Sequence, residues 1–239
     1  MGGRIVAVTD AASTAGPIVI VAARDEADRI GATLHALADA FPGAQLWVAD
    51  DASSDGTSEV ALAHGARVVR RGRPHGKGGN VTAAAEAALS DATPHDLVLV
   101  CDGDLGESAG RLAPLVSAVN DGRCDLAVAA FAVRVGGGFG VALRFARWAI
   151  ERRCGYRAAA PISGQRAMRC EVLEAVLPLA QGYGMEIGMT IDAVRAGYRV
   201  RELELDLVHR ATGRTFGGFV HRARQLRDFA RVFWLKRSG

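Results

Sequence analysis

The 239-residue sequence predicts an α/β fold: a Rossmann-like, mostly parallel central sheet with helices on both faces. Three observations carry that prediction. Continuously apolar runs alternate with amphipathic ones along the first hundred residues, the pattern of strands buried on both faces and joined by crossover helices. Hydrophobic residues make up 49% of the chain, enough for one large core or two small ones. Each polar cluster of the first half ("RDE", "DDASSDG", "RRGRPHGKGG" and "DGD") follows the end of an apolar run. In a parallel sheet those four ends share one edge, and it is the edge at which such sheets bind ligands.

The elements follow in order. Residues 18–23, "IVIVAA", read as a buried strand, and 26–40 as a helix through Ile30, Leu34 and Leu37. Residues 45–49, "QLWVA", form the second strand, a helix runs to His64, and "ARVVR" is a short third strand. An Ala-rich helix over 78–90 leads to a strand at 96–101, which stops at Asp102 and Asp104. In the second half "CDLAVAAF" is a strand, "VGGGFG" a flexible loop, and 141–153 a helix carrying Arg144, Arg147, Arg152 and Arg153. "ISGQRAMR" reads as a strand, "CEVLEAVLP" and "YGMEIGMTIDAVRAG" as helices, and "YRVRELELDLVHR" as an edge strand. With no repeat and no linker, residues 17–239 are expected to form a single domain of two halves, 17–130 and 131–239, behind a flexible segment 1–16.

Composition excludes some classes. The formal net charge is +3 and the pI about 8.9, too mildly basic to argue for nucleic acid as a partner. Cys101, Cys124, Cys154 and Cys170 are spread singly, with no CxxC pair for zinc or redox work, so a reducing, cytoplasmic setting is expected. The apolar stretch at the N-terminus is too short for a signal sequence, and no run reaches membrane-spanning length.

Chemistry concentrates at "LVLVCDGDLGES", residues 97–108. Carboxylates at i and i+2 can approach one hard divalent cation, Mg²⁺ or Mn²⁺, which takes oxygen ligands and leaves positions for substrate phosphates. Gly103 between them would let backbone pass close to a ligand. An isolated pair of this kind is more often a solvated strand-end turn; here three other polar clusters on the same edge reverse that judgement. "RGRPHGKGGN" supplies the diphosphate partner, with Arg71, Arg73 and Lys77 for charge, glycines 76, 78 and 79 for close approach, and a following helix N-terminus. It is not a P-loop, because the GxxxxGK[ST] spacing is absent.

Taken together, "VAARDEADRI", "VADDASSDGT", "GKGG" and "DGD" resemble the nucleotide-sugar domain of GT-A-fold glycosyltransferases, above all the family-2 group. "ISGQRAMRCEVLEAVLPLAQGYGMEIGMTIDAVRAGYRV" followed by "HR" resembles the glucosyl-3-phosphoglycerate synthases, and the likeness spans roughly residues 17–230. It implies a nucleotide-sugar half at 17–130 and an acceptor half at 131–239. It implies that Asp50 and Asp51 contact the uracil and ribose, that Ala23 and Glu26 line the nucleotide pocket, and that Lys77 is the lysine of the GKG motif. Asp102 and Asp104 match the metal-binding DxD, Asp104 being the more direct ligand and part of the catalytic set, and His209 matches a histidine completing the metal site. Gly164 falls in the substrate pocket, while Tyr183 and Glu186 face the sugar and acceptor. Glu186, flanked by apolar Met185, Ile187 and Met189, is the expected catalytic carboxylate, with Asp192 the competitor. An inverting enzyme would use it as base and a retaining one to orient the acceptor; the resemblance leaves both open.

The implied activity is transfer of a sugar from a nucleoside-diphosphate sugar, UDP- or GDP-linked, to an acceptor hydroxyl or phosphate. The rivals are a non-catalytic nucleotide-sugar-binding protein and a sugar-phosphate nucleotidylyltransferase; the second would need a glycine loop directly after the first strand, and none precedes Gly31. The synthases' acceptor does not carry over. Phe139, Val141 and Ala211 stand where donors to a phosphoglycerate are expected, leaving only Arg144 or Arg166 to compensate. The acceptor is either a polyprenyl phosphate or a small polar molecule. "FVHRARQLRDFARVFWLKR" reads either as an interfacial helix on an anionic membrane, which would place the protein peripherally at the inner face, or as a packed helix with a solvated basic face. A homodimer remains open.

Overall fold

A computed structural model describes residues 16–90, 92–93, 96–131, 140–207 and 227–235. Among these, seven strands form one sheet in the order β3-β2-β1-β4-β6-β5-β7: β1 (Ile18–Ala23), β2 (Gln45–Asp50), β3 (Arg67–Arg70), β4 (Leu97–Asp102), β5 (Leu126–Phe131), β6 (Arg166–Arg169) and β7 (Val200–Leu205). β1 pairs in parallel with β2 and β4, and β5 in parallel with β7. β6 alone runs antiparallel, to both β4 and β5. The chain leaves β1 toward β2 and β3, then crosses back to β4, so the sheet reverses direction between β1 and β4 and opens a crevice at their carboxyl ends.

The apolar strands are sided by alternation. Val19, Val21, Leu99 and Cys101 face one core layer, under α1 (Ile30–Ala40) and α4 (Ala113–Asn120). Ile18, Ile20, Val98 and Val100 face the other, against α3 (Gly76–Ala88), α6 (Cys170–Val176) and α7 (Met185–Arg195). A third apolar cluster joins α7 to α5 (Gly140–Cys154) and to a helical segment over 227–235, here α8. α2 (Thr57–Ala63) links β2 to β3.

Expected and observed elements differ in three places. The helix read from residue 26 starts at Ile30, because Asp25 adopts a left-handed backbone (φ +54°) and the amides of Asp25, Glu26 and Ala27 donate to Ser53, Thr57 and Asp55 at 2.9, 2.9 and 3.0 Å. Between Asp104 and Cys124, where the sequence reading assigns no element, a 3₁₀ turn over Gly106–Leu112 runs into α4; Gly106, Gly110 and Pro114 hide its periodicity. The strand in "ISGQRAMR" is confined to Arg166–Arg169. Residues 1–15 of the N-terminal segment and the "VGGGFG" loop up to Phe139 lie outside the described residues. No helix among the described residues is long and apolar enough to cross a membrane.

Candidate active site

At the crevice, α3 and α7 bring a lysine between two carboxylates that lie far from it in sequence. The Lys77 ammonium, on the first turn of α3, donates to Asp102 Oδ1 at 2.6 Å and to Glu186 Oε1 at 2.8 Å. Asp102 ends β4, and Glu186 opens α7 just after the 3₁₀ turn Gly182–Gly184. Burial alone would pull the Lys77 ammonium down, but Asp102 and Glu186 outweigh it and hold it above the ordinary lysine value. Asp102 is anchored on its other side by Gln165, whose Nε2 donates to Oδ2 at 2.7 Å. Gly164 lies directly beneath: a Cβ there would overlap the Lys77 ammonium and stand 2.7 Å from Asp102 Oδ2. The cluster fits only against a residue with no side chain.

The loop bearing Asp102 and Asp104 is clamped from α1. Thr33 Oγ1 donates to Gly103 O at 2.8 Å and accepts from Gly106 N at 2.8 Å, and Gly103 N donates to Ala22 O at 2.9 Å. Within the fold, the close approach that Gly103 permits is to Ala22, Ala23 and Ile30. Gly78 likewise makes room for Ala180 O rather than for a phosphate.

The loops after β1 and β2 are zipped together. Asp50 is fully buried; its carboxylate accepts from Ser53 N at 2.8 Å and from the Ser58 hydroxyl, with Arg70 Nε 3.8 Å away. Its charge is spent inside the loop, whereas Asp51, also buried, turns to the start of α3. Asp51 accepts from His75 N at 2.7 Å and Gly76 N at 3.2 Å, with Arg24 Nη1 3.7 Å away. The anion that the α3 N-terminus attracts is therefore the protein's own, so the charge left for a diphosphate is that of side chains, Lys77 first. Ala23 closes β1, its carbonyl accepting from Asp51 N at 3.0 Å, and Glu26 starts the turn into α1 through its carbonyl.

Of the remaining expected residues, Tyr183 has its backbone in the 3₁₀ turn beside Glu186, and His209, Phe139 and Ala211 lie outside the described residues. Asp192 lies six residues beyond Glu186 on α7, and Glu186 is the carboxylate that reaches Lys77. Arg166 cannot serve a solvent-borne acceptor. It is fully buried, donating to Ser163 O and Thr190 Oγ1 at 2.9 Å each, and burial pulls its guanidinium down to about 10 against the pull of Glu186, Glu202 and Tyr156. Gln165 and Thr33 are the positioning residues that the sequence reading misses. Gln165 lies inside the quoted "ISGQ" motif, but Thr33 looks like any polar residue on a helix.

Asp102 and Asp104 offer hard oxygen ligands one residue apart, and the Lys77 ammonium on Asp102 marks this as a place that seeks positive charge, so the donor set suits Mg²⁺ or Mn²⁺. Among the described residues no three His, Cys, Asp or Glu converge on a metal position.

A GT-A glycosyltransferase is the class that this sheet order and this strand-end cluster define together. Residues 18–177 match glycosyl transferase family 2, and the chain belongs to that family. An undecaprenyl-phosphate mannosyltransferase of Micrococcus luteus is 28% identical over 229 residues, covering 86% of this chain and 90% of the relative. An uncharacterized glycosyltransferase of Mycobacterium tuberculosis is 33% identical over 189 residues, 77% of this chain and 83% of that one. Among solved structures, the glucosyl-3-phosphoglycerate synthase of Mycobacterium tuberculosis in complex with Mn²⁺, UDP-glucose and glycerol 3-phosphate superposes with a TM-score of 0.72 at 25% identity, over 92% of this chain and 80% of that one.

Proposed function

We propose that this protein moves a hexosyl group from a nucleoside-diphosphate sugar, UDP- or GDP-linked, to the phosphate of a polyprenyl lipid, with Mg²⁺ or Mn²⁺ as cofactor. The observation that carries the reading is the Lys77 ammonium held between Asp102 and Glu186 at the strand-end crevice. The donor side is supported by the complex of the similar synthase with Mn²⁺ and UDP-glucose. The acceptor side is supported by the Micrococcus relative that acts on undecaprenyl phosphate and matches over nine-tenths of its length. The absence of side-chain donors at Phe139 and Ala211 argues in the same direction, because a small dianion without fixed donors is costly to desolvate; Val141, expected to stand with them, is exposed on α5 and carries no part of this argument. A lipid-linked acceptor also implies peripheral contact with a membrane.

The chain's own residues divide the work. Asp51, beside Arg24, receives the nucleoside, with Ala23 and Glu26 lining its pocket and Asp50 keeping the loop in shape. Lys77 meets the diphosphate; on doing so it exchanges carboxylate partners for phosphate oxygens, and Glu186 is released toward the acceptor. Asp102, Asp104 and His209 hold the divalent ion, which when bound neutralises charge developing on the leaving diphosphate. Glu186, with Tyr183 beside it, takes a proton from a hydroxyl acceptor, or orients an acceptor phosphate, which already carries its own negative oxygen. Gly164 lets Lys77 and Asp102 pack closely at the floor of the substrate pocket.

The test is turnover with UDP- and GDP-sugars plus Mn²⁺, comparing polyprenyl phosphate, simple sugars and 3-phosphoglycerate. Fastest transfer to polyprenyl phosphate is the expected result. Preferred transfer to 3-phosphoglycerate would show that the acceptor argument is wrong while leaving the donor assignment intact.

A further inference from the structure

Away from the crevice, α5 and α8 share an aromatic face that the fold does not cover. Val141, Phe145 and Trp148 recur at four- and three-residue spacing along one side of α5. Phe233 of α8 stacks on Trp148 with ring centroids 4.7 Å apart and touches Phe145 at 6.3 Å, and Trp234 extends the cluster at 6.0 Å from Phe233. Val141, Trp148, Trp234 and Leu235 are 60%, 48%, 60% and 68% exposed. Two indoles of one ring cluster, with Val141 and Leu235 on the same two helices, are left about half or more in water and form a patch that needs an occupant.

The charge around it is one-sided. α5 carries four arginines against one acid, Glu151. The described part of α8 adds Arg227 and Arg231, while its one acid, Asp228, turns inward onto Gly182. The Arg153 guanidinium lies 3.7 Å over the Phe233 ring, so the cationic rim and the aromatic face are one surface. Two exposed indoles with arginines at their edges match the boundary of a bilayer with anionic headgroups: the rings settle at headgroup depth and the arginine stems reach out to phosphates. A second copy of the chain fits less well, because a two-fold contact would set this basic rim against itself.

The inner side of α8 reaches the site. Phe229 and Val232 are buried against Ile187 and Ile191 of α7. Val232 fills the space a Cβ on Gly184 would need, and Asp228 does the same at Gly182. One helix, about 10 Å across, thus separates the aromatic face from the turn that presents Glu186. We infer that the α5–α8 face docks on an anionic bilayer and seats the acceptor half at the lipid surface. This deepens the lipid-phosphate reading of the acceptor and rests on it for its purpose, though not for its geometry.

The test is cosedimentation of the full chain with phosphatidylcholine vesicles, with and without about one-third phosphatidylglycerol, neither containing a polyprenyl lipid. Wild type is expected to bind the anionic vesicles, to release at high salt, and to shift its tryptophan emission to the blue. The third tryptophan, Trp47, is buried, so that shift reports the two exposed ones. Trp148→Ser with Trp234→Ser should lower vesicle binding by about tenfold, while circular dichroism and Mn²⁺-dependent UDP binding by calorimetry stay as in wild type. Absence of wild-type binding to anionic vesicles, or binding the double variant does not reduce, overturns the inference. So does a dimer in sedimentation velocity that the double variant dissociates without any vesicle binding, which assigns the face to a second copy. Loss of UDP binding by wild type would instead sink the transferase reading and leave the vesicle result standing.

Discussion

At the scale of single residues, Lys77 decides the electrostatics of the site. Without it, Asp102 and Glu186 face each other across a small, partly desolvated space. Lys77→Met is expected to cost about 1–3 kcal/mol of stability at neutral pH and to abolish measurable binding of a nucleoside diphosphate. The sign of its pH dependence follows from the raised folded value. The stabilisation is complete below the ordinary lysine value of 10.5 and fades as the pH rises above it. Thermal melts of wild type and variant from pH 7 to 11 should therefore keep a constant gap until about pH 10 and narrow beyond it; a gap that closes between pH 7 and 9 would contradict the assignment. Glu186→Gln removes the carboxylate proposed to act on the acceptor but leaves the Lys77–Asp102 pair. Turnover should fall by about a hundredfold or more, with UDP affinity by calorimetry within about twofold of wild type. An undiminished kcat would move the catalytic role elsewhere.

At the scale of elements, the site is held by contacts that cross from one loop or helix to another. Thr33 joins α1 to both ends of the Gly103–Gly106 turn with one hydroxyl. Thr33→Val keeps the shape but leaves Gly103 O and Gly106 N unpaired, at a cost of about 1–3 kcal/mol. Chemical denaturation measures that cost, and calorimetry should show metal-dependent UDP binding weakened in parallel. Asp51 is a cap supplied to α3 from another strand end. Asp51→Ala is expected to destabilise the fold by about 1 kcal/mol and, if Asp51 receives the nucleoside, to weaken UDP binding by more than that loss of stability explains. Equal UDP affinity in wild type and variant would reduce Asp51 to its capping role.

At the scale of the whole molecule, the crevice lies where the two directions of the sheet part, so the proposed ligand would tie the β1–β3 half to α7. A nucleoside diphosphate at about a hundred times its Kd should add about 2.7 kcal/mol, or roughly 5–10 °C in melting temperature for a chain of this size. That shift is expected with Mn²⁺ or Mg²⁺ present and largely absent in EDTA; equal shifts in both conditions would argue against a metal at Asp102 and Asp104. Much of this arrangement is legible in the sequence. Apolar runs such as "IVIVAA" and "LVLVCD" mark buried parallel strands, and the polar clusters behind them mark one edge, because strand period and burial are local properties of the chain. Even the edge position of β7 is readable from its alternation. Other features belong to tertiary structure alone, because they depend on residues distant in sequence meeting. Glu186 rather than Asp192 reaches Lys77 because α7 enters beside the α3 N-terminus. Asp50 turns inward because Ser53, Ser58 and Arg70 close around it. Gly103 makes room for Ile30, Ala22 and Ala23, and Gly78 for Ala180, all of them brought there by the fold. Arg166 is lost to any acceptor because β6 is inserted antiparallel between β4 and β5, beneath α7, where a guanidinium can find only protein partners.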